Sequence, residues 1–211
     1  TASQEAEAGR FISLTEAETF ARGMGEVIQV SSWQKEHLGP DELATTTMQV
    51  GLEFGLASRF HVGLALPALT NERGGSGRHT RFAGTSMWGV CNFSRPAAGR
   101  WGTSAGMAVT ENHENITVDA SLILEKSWSP LVLVMNLTAG KAWMREPTAR
   151  DHGFLVGRLG ASHDLGRSIS LSLESEWYLS HGEYFEHHPD ELRAGPSVIW
   201  NGNQLWALAG L

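Results

Sequence analysis

From Thr47 to Leu66, apolar and polar positions alternate almost without a break. Met48, Val50, Leu52, Phe54 and Leu56 share one parity, with Gln49, Gly51, Glu53, Gly55 and Ala57 between them. After Ser58-Arg59 the apolar parity resumes at Phe60, Val62, Leu64 and Leu66, opposite His61, Gly63 and Ala65. A period of two sends successive side chains to opposite faces of a pleated strand, so this stretch predicts two β-strands joined by a tight turn. The pattern recurs and predicts eleven strands, over 25–35, 43–57, 60–69, 81–94, 101–111, 115–126, 131–144, 154–163, 168–179, 192–200 and 204–211. Residues 1–24 carry no strand pattern. They are polar and acidic, and Ser13-Leu-Thr-Glu16 fits a capping box that predicts a short helical turn.

The connections differ by parity. Those after even-numbered segments are short: Ser58-Arg59, Arg95–Gly99, Ser127–Pro130, Asp164–Arg167 and Asn201–Asn203. Those after odd-numbered segments are mostly longer and more polar, as in Asn71–Thr80, Arg145–Gly153 and Ser180–Glu191, with Asn112–Glu114 the short exception. Short turns at one rim and long loops at the other are the layout of transmembrane β-barrels. On that topology Phe60, Phe93, Trp101, Trp128, Trp200 and Trp206 fall at the short-turn rim, and Trp33, Trp143, Trp177 and Tyr178 toward the other. Two aromatic belts are what a membrane with two interfaces selects. Trp88, in mid-segment, belongs to neither. The span is also sufficient. Ile116, Val118, Ala120, Leu122 and Leu124 present five apolar side chains over nine positions, about 20 Å when tilted against an apolar band of ~25 Å. Leu131, Leu133, Met135 and Leu137 repeat the pattern, as do Ile169, Leu171 and Leu173 against Ser168, Ser170, Ser172, Glu174 and Glu176.

Composition narrows the classes. The 211 residues suffice for one all-β domain, and no run approaches the ~18 apolar residues of a spanning helix. The 24 glycines and eight tryptophans suit crowded inner faces and interfacial belts, as well as ordinary sheet packing. A net charge of −7 without a basic run argues against a nucleic-acid partner. Cys91, the single cysteine, permits no internal disulfide. The chain opens Thr-Ala-Ser-Gln-Glu with no signal-peptide pattern, so the barrel reading expects a processed form.

Residues 25–211 resemble a Gram-negative outer-membrane β-barrel of the porin-like kind, in pattern rather than by a diagnostic motif. The resemblance implies an antiparallel up-and-down transmembrane barrel of about 10–12 strands, with short periplasmic turns and longer extracellular loops. It places residues 1–24 as a polar periplasmic segment. It implies a bacterial outer-membrane location, lipid bilayer and lipopolysaccharide as surroundings, and passage of small solutes. Such barrels have an even strand number and end in an aromatic residue, whereas segment eleven closes with Ala209, Gly210 and Leu211.

The polar parity supplies the candidate lumen residues: Glu53, His61, Asp119, Glu125, Asn136, Arg158, Glu174, Glu176 and Arg193. Glu174 is expected opposite Arg158, and Arg193 beside Glu176. Such pairs either brace a filled interior or line a channel. His181, His187 and His188, with Glu183, Glu186 and Asp190, put metal-capable side chains in one loop. No defined ligand spacing is met, and neither metal nor cofactor is expected. Ser162-His163, Ser180-His181 and Asp164 are nearby in sequence, but adjacent strand residues point to opposite faces, so Ser162 and His163 form no dyad, and no Gly-x-Ser-x-Gly elbow occurs. The expectation is a non-enzymatic channel or transporter for small solutes. The alternatives are a plugged structural or interaction barrel, a lipid-modifying barrel enzyme, and a soluble lipocalin-like barrel with its apolar face inward.

Overall fold

In a computed structural model of the chain, the described residues are 15–17, 19–38, 41–74, 77–97, 99–147, 149–166, 168–181, 191–201 and 206–210. Their regular structure is all β and antiparallel. The strands are β1 (Gly25–Leu38), β2 (Asp41–Ala57), β3 (Phe60–Ala65), β4 (Ala68–Gly74), β5 (Gly77–Ala83), β6 (Thr85–Ser94) and β7 (Gly102–Glu111). They continue as β8 (Asn115–Trp128), β9 (Leu131–Met144), β10 (His152–Asp164), β11 (Ile169–His181), β12 (Glu191–Asn201) and β13 (Trp206–Gly210). β3 and β4 lie end to end along the same edge of β2, and pair in turn with β6 and β5. Thirteen segments therefore make an up-and-down sheet of eleven strands, as the alternation predicted.

Two expectations are corrected. The sheet is not closed: among the described residues β1 pairs only with β2, and β13 only with β12. Eleven is odd, so the two edge strands run in the same direction and offer each other no antiparallel ladder. The polar stretch Asn71–Thr80 is not a loop. It forms most of the β4–β5 hairpin, paired from Ala68↔Ala83 to Gly74↔Gly77, because polar residues outside an apolar band still satisfy their backbone best in a ladder.

The apolar parity faces outward. Leu52, Leu122 and Leu171 are each more than 40% exposed (44%, 47% and 43%), whereas Glu125 and Glu174 on the other face are 4% and 7% exposed. Val90, Ile123, Val132, Val134, Val156 and Ile199 are buried on that same inner face, among serines and threonines. Most burial lies toward the short-turn rim. There a strap, described at residues 15–17 and 19–24, crosses the inner face. Thr15 and Glu16 are not helical, in contrast to the capping-box expectation; Ser13 and Leu14 lie outside the described residues. The sheet's own side chains bond the strap backbone at Ala17 and take the place of helical partners.

Candidate functional site

Strand register organises the inner face. Asn92 stands opposite Ser104, Ser104 opposite Ile123, Ile123 opposite Asn136, Asn136 opposite Arg158, Arg158 opposite Glu176, and Glu176 opposite Arg193. One continuous row thus crosses seven strands from β6 to β12, and six of its seven members are polar. At ~4.8 Å between neighbouring strands the row is about 29 Å long. It starts two residues from the short-turn end of β6 and finishes two residues from the loop end of β12. The row therefore climbs from one rim to the other.

Its upper part is charged. Arg158 Nε donates to Glu176 Oε2 at 2.5 Å, and Asp119 on β8 lies within electrostatic reach of the same guanidinium. Arg193 is exposed beside Glu176 across the β11–β12 ladder, as the sequence placed it. Glu174 does not face Arg158. Its cross-strand partner is Gly160, because the connection beyond Asp164↔Ser170 spans five residues and moves the register by two. Glu174 accepts instead from Ser197 Oγ at 3.4 Å, and Ser197 shares a hydrogen bond with Ser172. Phe154 and Tyr178 stack at the loop end, ring centroids 6.1 Å apart. Tyr178 thus turns inward and leaves the outer belt to Trp143 and Trp177, which are exposed.

At the lower end the strap covers the row. Asn92 Nδ2 donates to the Ala17 carbonyl at 2.6 Å and Ser104 Oγ donates to it at 2.5 Å, while the Ala17 N–H donates to Glu125 Oε2 at 2.9 Å. Phe20 packs on His61, centroids 5.6 Å apart. The Gly23 N–H donates to the Gly55 carbonyl and the Gly55 N–H to Met24, at 2.9 and 2.8 Å. Gly55 is small for a reason: a Cβ there would lie 2.2 Å from the Ala21 carbonyl oxygen. Glu125 also accepts from Ser127. Glu53 accepts from Trp88 Nε1 at 3.1 Å, with the indole lying over Gly63. His61 Nδ1, Asn92 Oδ1, Asn136 Oδ1 and Ser162 Oγ are buried without a hydrogen-bond partner among the described residues. Leaving such a group unmade costs about 1–3 kcal/mol, so the face is suited to polar ligands.

Sequence reasoning placed all nine candidate lumen residues on one parity, and eight lie buried or half-buried on the inner face, with Arg193 exposed at its loop end. It missed Trp88, Asn92 and Ser104. The glycines at 51 and 63, on inward positions beside Trp88, are the signal that could have found the first. Ser162 points in and His163 out. Among the described residues no group of three metal-capable side chains gathers, and the His187-His188 stretch lies outside them. No helix among those residues is long and apolar enough to cross a membrane, which leaves strands as the means of crossing open. Comparison with protein-family models and with curated proteins finds no match.

Proposed function

We propose that the chain is an outer-membrane protein whose open sheet is completed into a barrel in the bilayer, and whose inner face passes or holds small polar solutes. The observation that carries this reading is the inverted distribution of polarity. Large aliphatic side chains cover the outside of the sheet while carboxylates, amides and hydroxyls are buried inside. A soluble sheet gains stability by the opposite arrangement, and exposed apolar surface on this scale marks a lipid or protein contact. Exposed Phe60, Phe93, Trp101, Trp128 and Trp200 at one rim, with Trp143 and Trp177 toward the other, agree with two interfaces. The row from Asn92 to Arg193, polar except at Ile123, supplies donors and acceptors along which a hydrogen-bonding solute moves or rests.

A second reading, a plugged barrel, is favoured by the strap bonded at Ala17. Single-channel recording tests both. The intact protein in a planar bilayer should conduct little, and the combined Asn92→Ala, Ser104→Ala and Glu125→Ala substitutions should release the strap and raise conductance several-fold. Silence from both proteins, each showing a heat-modifiable gel shift, would favour the plugged structural role. Monodisperse protein without detergent would remove the membrane reading altogether.

A further inference from the structure

Resting on that membrane reading, we infer that the outer surface of β3, β6 and β7 carries a binding site for one anionic phospholipid, with its phosphate at the short-turn rim. A shallow groove of about 260 Å³ runs between these strands, walled by Phe60, Val62, Met87, Gly89, Met107 and Val109. Met87 and Met107 are 60% and 64% exposed, among the most accessible apolar residues of the sheet. The Phe60 ring packs over Gly89, 3.3 Å from where a Cβ would stand, and forms the part of the groove wall nearest the short-turn rim. From Phe60↔Cys91 to Leu64↔Met87 the groove follows five residue pairs of ladder, four steps or ~13 Å of strand. That length and lining suit part of an acyl chain, and unbranched methionine side chains adapt to a flexible guest.

Charge identifies the headgroup. The chain as a whole carries −7, yet the rim below this groove is basic. Arg59 adjoins Phe60, Arg95 Nη2 donates to the Ser58 carbonyl at 3.2 Å, and Arg100 pairs with Ala97 in the next turn. Lys126 lies 5.2 Å from the Trp101 ring and 4.9 Å from the Trp128 ring, held at interface height by two indoles. Through 58–60, 93–102 and 126–130 no acidic residue occurs. The neighbouring Glu125 faces inward, bonded to the strap. Guanidinium groups match phosphate oxygens in geometry as well as charge. An apolar groove beside a rim rich in basic residues fits an anionic phospholipid better than a zwitterionic one, whose ammonium cancels the charge of its phosphate.

The test uses the full chain in nanodiscs of phosphatidylcholine doped with phosphatidylglycerol, ejected into a native mass spectrometer. The intact protein should retain phosphatidylglycerol over phosphatidylcholine by on the order of tenfold, as a few basic groups at a membrane surface provide. Combined Arg59→Ala, Arg95→Ala and Arg100→Ala should abolish that preference while the heat-modifiable shift persists. Met107→Trp, which fills the groove, should lower retention of both lipids. Equal retention of the two lipids by the intact protein, or an unchanged preference in the arginine variant, overturns the site but not the membrane reading. A chain that shows no heat-modifiable shift in any lipid overturns both.

Discussion

Trp88 shows how a single side chain is placed by what its neighbours lack. Its indole covers Gly63 and its Nε1 is held by Glu53 two strands away, so it can exist there only where the intervening residue has no Cβ. A methyl group at position 63 would come within 2.1 Å of the ring. Gly63→Ala should therefore destabilise by about 1–3 kcal/mol, as overpacking does, seen as a lower urea midpoint for loss of the folded gel form. Adding Trp88→Ala should remove the penalty, so that the double variant is no less stable than Trp88→Ala alone. A cost that persists in the double variant would show that glycine at 63 serves the backbone instead.

At the scale of elements, hairpins and register decide what strand parity leaves open. The β4–β5 hairpin continues a ladder that the polar residues from Asn71 to Thr80 had suggested was a loop. Parity identifies strands through a difference between two faces, and where both faces meet water that difference vanishes. Asn71 and Thr80 are direct cross-strand partners, so replacing 72–79 by Asn-Gly should close the hairpin in the same register, since a two-residue turn joins directly opposed residues. Circular dichroism and the gel shift should match those of the intact protein. Loss of the folded form would mean that the outer hairpin is required for the sheet. Register was likewise beyond the sequence for Glu174, because the length of the Asp164–Ser170 connection determines which of two inward residues meets Arg158.

For the whole molecule the open edges are the decisive feature. In hydrocarbon an unpaired N–H or C=O costs several kcal/mol, so a sheet embedded in a bilayer has no tolerable free edge. The membrane reading therefore expects the outward amides of β1 and β13, unpaired on that side among the described residues, to be protected from hydrogen exchange in lipid. Their exchange in lipid at the rate of unstructured peptide would show that the sheet stays open, and would count against burial in a bilayer.

The sequence by itself determined the number of strands, which residues share a face and the outward tryptophans near strand ends, because each is a local consequence of side-chain alternation along an extended chain. Which face is buried, how residues of seven strands, six of them polar, join into one row, and the passage of the strap over Gly55 were decided by tertiary structure. They depend on register, turn length and close approach between segments as far apart as Ala17 and Glu125. A period of two records that a strand has two sides; only the neighbours it meets determine what each side touches.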